Sequence, residues 1–301
     1  MQTTSKILMV RPVMFGYNEQ TAVNNAFQVK GSQENVSEKA VEEFDNFVAK
    51  LREAGVEVNV IQDTDAPHTP DSIFPNNWFS THSDGTLIYY PMFAPNRRLE
   101  RKDTVIDFIK DYHAPKREVD LTKWEAEDKF LEGTGSMILD RDNKMVYACA
   151  SIRTHEDVLK ELADEIGYDY FLFDAVDQNG NPIYHTNVLM CIGKKYIVSC
   201  MEAIKDKAER EKFESLAKKF GKEIVDITYD QMNSFAGNMI ELMSKNGESL
   251  LIMSERAKNS LRKDQIEALE KYSKIIAADL TTIENNGGGS ARCMIAEIFA
   301  Q

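Results

Sequence analysis

The chain has 301 residues, of which 43% are hydrophobic, and its formal net charge is -13. This length is sufficient for a large buried core, and the apolar fraction is that of an ordinary globular protein. The strong negative charge argues against a nucleic-acid partner or an anionic membrane surface, because both attract basic patches. An acidic surface is also a common route to solubility, so the charge does not indicate a cationic substrate.

An amphipathic helix followed closely by a strand recurs along the chain. The first helix is predicted over Glu38–Ala54, with Ser37 as its N-cap and Gly55 at its end. The predicted helix and strand pairs are Glu38–Ala54 with Val56–Ile61, Leu99–Tyr112 with Glu118–Leu121, His155–Ile166 with Tyr168–Phe173, Ile204–Phe220 with Glu223–Ile227, and Ala257–Tyr272 with Lys274–Ala278. This recurrence, at a spacing of about 50–60 residues, predicts a quasi-repeated α/β architecture.

Paired strands are predicted between these units. Trp78–Thr81 pairs with Leu87–Tyr90, and Tyr184–Cys191 pairs with Tyr196–Met201. No low-complexity linker divides the chain, so we expect a single domain over residues 1–301. Periodicity alone does not distinguish a closed repeat from a doubly wound sheet.

Targeting and cysteine signals indicate a reduced, cytoplasmic protein. The apolar run Ile7–Val10 is too short for a signal peptide, and no stretch reaches the ~20 apolar residues of a membrane span. Four cysteines lack any C-x-x-C spacing, which argues against a zinc site or a redox pair.

Three polar residues beside turns have the composition of a thiol enzyme. Glu132 precedes a glycine-rich turn, His185 interrupts a predicted strand, and Cys293 follows a run of three glycines. Each has a plain structural alternative: a turn residue, a hydrogen-bonded core histidine or an inert buried cysteine. Together they supply a nucleophile, a proton shuttle and an orienting carboxylate. The order along the chain does not show whether they meet in space.

These segments together resemble the guanidine-modifying superfamily, also called the pentein or amidinotransferase fold. It includes arginine deiminases, dimethylarginine dimethylaminohydrolases, succinylarginine dihydrolases and amidinotransferases. The segments that carry the resemblance are Asp71-Ser72-Ile73-Phe74, Ala94–Glu100, Leu131–Thr134, Ser151–Thr154, His185 and Cys293. They occur in the family's order along nearly the whole chain.

The resemblance implies a fold and a set of roles. The fold is a five-bladed α/β propeller of ββαβ modules around a central site. Cys293 would be the nucleophile, His185 the proton shuttle and Glu132 the catalytic carboxylate. The substrate would be gripped by Asp71, while its carboxylate would be held by Arg153, with Arg97 or Arg98. No metal or organic cofactor is required.

Three asparagines depart from the family pattern. The dimethylaminohydrolases have acidic residues where this chain has Asn76 and Asn77, and arginine deiminases have aspartate where it has Asn187. A carboxylate clamps a guanidinium cation, whereas an amide offers a donor and an acceptor without charge. The pattern therefore predicts substrate binding through these amides and a neutral ureido substrate. It resembles most the citrulline-utilisation hydrolases, so we expect L-citrulline.

The sequence is also compatible with other functions. Arginine deimination and amidino transfer use the same scaffold, and some members of the fold only bind. The polar segment Met14–Gln28 is expected to be an ordinary surface loop rather than a lid over the site. The sequence leaves open a homo-oligomer and does not show whether the ornithine amine or ammonia is the leaving group.

Overall fold

The computed structural model describes residues 1–25, 27, 28 and 35–299. Its strands are β1 (Lys6–Arg11), β2 (Glu57–Gln62), β3 (Phe79–Thr81), β4 (Thr86–Tyr89), β5 (Arg117–Asp120), β6 (Met137–Asp140), β7 (Met145–Cys149), β8 (Asp169–Phe173), β9 (Met190–Ile192), β10 (Tyr196–Ser199), β11 (Glu223–Asp226), β12 (Ile240–Met243), β13 (Ser249–Ser254), β14 (Lys274–Ala278) and β15 (Ala296–Glu297). Its helices are α1 (Glu19–Ala22), α2 (Val36–Glu53), α3 (Pro95–Arg98), α4 (Asp103–His113), α5 (Gly133–Ser136), α6 (Glu156–Ile166), α7 (Thr186–Leu189), α8 (Lys207–Lys219), α9 (Tyr229–Asn233), α10 (Glu255–Ser260), α11 (Lys263–Glu270) and α12 (Thr281–Gly287).

The strands of the described residues form five three-stranded sheets. In four of them an antiparallel hairpin is followed by a helix and a third strand parallel to the second, as in β6, β7, α6 and β8. A helix is the usual link between parallel neighbours, because the chain must return to the same end of the sheet. These are ββαβ modules, and the predicted five-bladed α/β propeller is confirmed.

The remaining blade joins the two ends of the chain. Its order is β15-β1-β2, with β1 antiparallel to β15 and parallel to β2. Leu8 pairs with Ala296 on one side and with Asn59 on the other. The strand that follows Cys293 is thereby fixed to the start of the chain, which closes the ring.

The blade helices pack through one apolar face. In α2 the buried residues recur at three- and four-residue intervals, which places them on one side of a helix. They are Val36, Ala40, Phe44, Phe47, Val48 and Leu51. Among the described residues, no helix combines the length and the apolar character needed to cross a membrane.

Helix boundaries differ from the prediction where capping was misassigned. α2 begins at Val36 after Asn35, whereas the Ser37 hydroxyl donates to the Val13 carbonyl and accepts from Phe15 N. The helix predicted over His155–Ile166 begins one residue later, at Glu156, because His155 is the N-cap and its side chain accepts from Asp157 N. Capping depends on tertiary contacts as well as on residue type, so helix ends are the hardest part of a helix to predict from the sequence.

Three predicted helices are also shorter or interrupted. Leu99–Tyr112 shortens at its start to α4, with the separate turn α3 before it, and Ile204–Phe220 shortens to α8 with Asp206 as its N-cap. Ala257–Tyr272 divides into α10 and α11, because Leu261 and Arg262 have extended backbone. The five helix-then-strand units nevertheless occur in the predicted order.

The predicted strand Tyr184–Cys191 was wrong over most of its length. His185 has extended backbone and caps the single turn α7, and the strand begins only at Met190. Comparable turns precede the first strand in other blades: Pro75–Asn77 lies close before β3, and α5 lies directly before β6. These blade turns carry the polar side chains of the candidate site.

Candidate active site

Each blade contributes one polar residue from the segment before its first strand. These residues are Asn77, Glu132, His185, Asn238 and Cys293, which precede β3, β6, β9, β12 and β15. All five have exposed fractions of 6% or less. The repeat therefore brings together residues that are as far apart as 216 positions in the chain.

Cys293 and His185 line one small cavity of about 20 Å³. Asp71, Asn77 and Arg153 also line it. A volume of this size holds about one water molecule. A molecule the size of an amino acid does not fit in this volume.

His185 and Glu132 form a buried pair. Nε2 of His185 lies 2.8 Å from Oε2 of Glu132. Burial, aided by Arg153, lowers the pKa of His185 to about 4 even though Glu132 acts in the opposite direction. The imidazole is therefore neutral at pH 7, and it donates from Nε2 to the carboxylate and leaves Nδ1 to accept a proton.

Glu132 is held ionised by its neighbours. Burial acts to raise the pKa of its carboxyl, but Arg153 and the His185 hydrogen bond outweigh burial and lower it well below the usual range. Oε2 also lies 3.4 Å from Nη1 of Arg153, and Oε1 accepts from Phe93 N at 2.9 Å. The carboxylate is thus oriented on both oxygens, which fixes the histidine ring against it.

Two asparagine amides face the sulfur of Cys293. Nδ2 of Asn187 donates to Sγ at 3.3 Å, and Nδ2 of Asn238 donates at 3.2 Å. The sequence analysis did not identify Asn238 as a site residue. It could have been found from its position shortly before the apolar strand β12, which resembles the position of Asn187 before β9.

Two glycines permit these close approaches. A Cβ on Gly135 would lie 2.8 Å from Nδ1 of His185 and 2.4 Å from Nδ2 of Asn77. A Cβ on Gly237 would lie 2.2 Å from the Val188 carbonyl oxygen. An added Cβ would therefore displace the side chains of His185 and Asn77 at Gly135, whereas at Gly237 it would collide with the backbone of the neighbouring blade turn.

Asp71 carries an unpaired carboxylate oxygen at the cavity. Oδ2 accepts from Asn18 at 2.7 Å and from Thr21 at 3.2 Å, whereas buried Oδ1 has no hydrogen-bond partner. Burial raises the pKa of this carboxyl, and the nearby guanidinium of Arg97 opposes the shift. A free acceptor at the cavity wall suits a substrate N–H group.

Arg97 supports the cavity wall. Its Nε and Nη2 donate to the two carboxylate oxygens of Glu100 at 2.8 and 2.9 Å, and Nη1 donates to Oδ1 of Asn77 at 2.7 Å. The Asn77 Nδ2 group is left without a partner. Asn77 therefore has a fixed orientation and a free N–H donor.

Three predicted binding residues do not line the cavity: Asn187, which contacts the sulfur of Cys293, and Asn76 and Arg98. Asn76 donates from Nδ2 to Oγ1 of Thr134 at 3.2 Å. Arg98 donates from Nε to the Met92 carbonyl at 2.9 Å and lies beside Glu125. Asn76 and Arg98 both stand behind the cavity in this structure.

The segment Asn18–Asn25 covers the cavity, so the expectation of an ordinary surface loop was wrong. Asn18 and Thr21 are buried against Asp71. Asn24 accepts from Nε of Arg153 at 2.9 Å. Residues 26 and 29–34 lie outside the described part of the chain. The cover consists of polar side chains that use the hydrogen-bonding groups of the site.

Over the described residues, no group of three or more histidine, cysteine, aspartate or glutamate side chains is arranged to hold a metal ion. The donor set at the cavity is one thiol, one imidazole, two carboxylates and several amides. The imidazole and one carboxylate bind each other.

The five-bladed α/β propeller with this set of residues defines a class, the pentein or amidinotransferase superfamily of arginine-modifying hydrolases. Within it, residues 11–300 match the family described as N,N dimethylarginine dimethylhydrolase, eukaryotic, and the chain belongs to that family. No curated protein sequence matches the chain.

Solved structures share the fold at low sequence identity. ArgZ, an arginine dihydrolase from the ornithine–ammonia cycle in cyanobacteria, superposes with a TM-score of 0.78 at 18% identity, over 98% of this chain and 41% of ArgZ. The chain thus spans about two fifths of that protein. Its substrate-bound N-terminal domain gives 0.77 at 18%, with 98% of both chains covered. A dimethylarginine dimethylaminohydrolase adduct with S-methyl-L-thiocitrulline gives 0.65 at 14%, over 98% and 99% of the two chains.

Proposed function

We propose that the chain is a cysteine-dependent hydrolase of a non-peptide C–N bond in the ureido or guanidino group of a small amino acid, with L-citrulline as the preferred substrate. The observation that carries this proposal is the shared cavity of Cys293 and His185, with His185 hydrogen-bonded to Glu132. A thiol, a neutral imidazole and an orienting carboxylate are the parts of a thiol hydrolase.

The reaction begins with proton transfer from the thiol. His185 takes the proton of Cys293, and the imidazolium is stabilised by Glu132 at 2.8 Å. The thiolate then attacks the ureido carbon, and the carbonyl electrons move to oxygen. Amide N–H groups at the cavity stabilise the charge that develops there.

His185 next returns the proton to the departing nitrogen. When the ornithine amine leaves, the enzyme holds an S-carbamoyl thioester. His185 then removes a proton from water, which attacks the thioester and releases carbamate. The carbamate decomposes to carbon dioxide and ammonia, and Cys293 is restored. Every proton in this sequence passes through the imidazole.

The charge of the wall groups supports a neutral substrate. Asn77 points an unpaired N–H donor from a position fixed by Arg97, and Asn187 contacts the sulfur through its amide. An amide N–H suits the oxygen of a ureido group, which a guanidinium lacks. Arg153 would hold the substrate carboxylate once Asn24 is displaced.

Arginine is the second candidate substrate. Asp71 lines the cavity with one unpaired carboxylate oxygen, which is a suitable partner for a guanidinium. ArgZ, which shares the fold, is an arginine dihydrolase. Hydrolysis of arginine at the same cysteine would yield citrulline or, after a second step, ornithine.

The test incubates the purified protein separately with L-citrulline and with L-arginine and quantifies ornithine, citrulline and ammonia. Cys293→Ala is the control, because it removes only the sulfur from a well-packed site. Ornithine formed from citrulline by the wild-type protein alone supports the proposal. Faster turnover of arginine would replace citrulline with the second candidate, and turnover retained in Cys293→Ala would overturn the mechanism.

A further inference from the structure

Asn238 connects the nucleophile to two other parts of the active site. Its Nδ2 donates to the main-chain carbonyl of Asn187 at 3.0 Å and to Sγ of Cys293 at 3.2 Å. Its Oδ1 accepts from Arg292 N, the residue before the nucleophile, at 3.1 Å. With an exposed fraction of 1%, the side chain is almost inaccessible to water.

The orientation of this amide is determined by backbone groups. The Arg292 N–H needs an acceptor, and the Asn187 carbonyl needs a donor. Rotating the amide by 180° would place an N–H against an N–H and an oxygen against an oxygen. The two backbone partners therefore fix the orientation in which an N–H of Asn238 faces the sulfur.

The sulfur of Cys293 has two hydrogen-bond donors and one acceptor around it. Two N–H groups donate to it at 3.2 and 3.3 Å, and Oδ1 of Asn238 accepts from the thiol at the longer distance of 3.7 Å. A thiol has one weak donor to satisfy, but a thiolate accepts several hydrogen bonds. Hydrogen bonds to the charged form of a group favour that form.

We propose that Asn238 is a catalytic residue, which forms with Asn187 a pair of amide donors that hold the Cys293 sulfur and stabilise its thiolate. This inference rests on the proposed nucleophilic role of Cys293 and is independent of whether the substrate is citrulline or arginine. Because burial disfavours an isolated anion, the amide pair supplies the hydrogen bonds that water supplies to an exposed thiolate.

The test follows the thiolate of Cys293 directly and uses no substrate. Its ultraviolet absorbance is recorded against pH as the difference from Cys293→Ala, together with the rate of alkylation by iodoacetamide. The other three cysteines contribute little, because burial raises the pKa of Cys149, Cys191 and Cys200 to about 12. Failure of the proposed substrate would not change these readouts.

Asn238→Ala removes the donor, and Asn238→Asp replaces it with an acceptor of the same shape. The absorbance of the thiolate should appear at higher pH in both variants than in the wild type, and at the highest pH in Asn238→Asp. Alkylation at pH 7 should fall about 10-fold in Asn238→Ala, the size expected for one hydrogen bond to a charged group.

The matched control is Asn59→Asp. Asn59 also donates from Nδ2 to a backbone carbonyl, that of Ile7 at 3.2 Å, but it lies in β2 away from the sulfur. In Asn59→Asp the absorbance of the Cys293 thiolate should depend on pH as it does in the wild type. A wild-type profile in folded Asn238→Ala would overturn the proposal. If Asn238→Asp fails to fold, Asn238→Ala and Asn238→Ser decide the question, since serine restores a donor and should recover part of the loss.

Discussion

The side chain of Asn24 accepts a hydrogen bond from Nε of Arg153 at 2.9 Å. The same guanidinium donates from Nη2 to the Thr21 carbonyl at 2.9 Å and lies beside Glu132. Arg153 is the residue predicted to hold the substrate carboxylate. Asn24 therefore uses the donors that a carboxylate would use, and the proposed binding mode requires the two to separate.

Changing Asn24 should alter KM more than kcat. Asn24→Asp places a carboxylate opposite the Arg153 guanidinium and should raise KM about 5-fold or more, because a buried pair of opposite charges holds together more strongly than a guanidinium and a neutral amide. Asn24→Ala should lower KM by removing the competitor. Steady-state kinetics provide the measurement. Val23→Thr is the control, since Val23 is 73% exposed, and a similar KM change there would contradict this explanation.

Asn77→Asp should shift substrate preference from citrulline towards arginine. A carboxylate at this position would face the cavity and attract a guanidinium, so the ratio of kcat/KM for arginine to that for citrulline should rise about 10-fold or more. The comparison variant is Asn76→Asp, because Asn76 contacts Thr134 and does not line the cavity. An equal shift in both variants would mean that cavity charge does not determine preference.

Gly135→Ala should lower kcat with a smaller effect on folding. The new methyl group would lie 2.8 Å from Nδ1 of His185, so the imidazole must move. A displacement of about 1 Å costs up to about 100-fold in rate. Gly180→Ala is the control: its φ of +83° makes alanine strained there, but no atom lies within 4 Å of the added Cβ. That variant should lose thermal stability and keep kcat.

Acidification should destabilise the fold through His82. Burial, together with Arg141, lowers the pKa of this histidine from 6.5 to about 3. The unfolded chain binds the proton at higher pH, so the stability present above pH 6.5 is lost as the pH falls towards 3. His185 acts in the same direction.

Denaturant unfolding across this range measures the effect. His82→Asn should reduce the pH dependence of the free energy of unfolding by up to about 1.4 kcal/mol per pH unit. His68, which is exposed, serves as the control, and His68→Asn should leave the slope unchanged. An identical slope in wild type and His82→Asn would contradict the assignment.

Local pattern predicted the repeat, but not every element boundary. The strand at Lys274–Ala278 was predicted with its observed ends, because its bounds depend on apolar spacing within a short window. The segment that contains His185 was wrongly predicted to be a strand. Its turn α7 is stabilised by contacts with another blade, such as the bond from Oγ1 of Thr186 to the Ser136 carbonyl at 2.5 Å.

The sequence by itself determined the repeat of helix and strand, the family, and the presence of Glu132, His185 and Cys293 in that family's order, because periodicity and short motifs are properties of contiguous residues. Only the tertiary structure placed Asn238 against the sulfur and Asn24 on Arg153. These contacts join residues 55 and 129 positions apart. Their geometry depends on how the five blades close into a ring, and no local pattern encodes that distance.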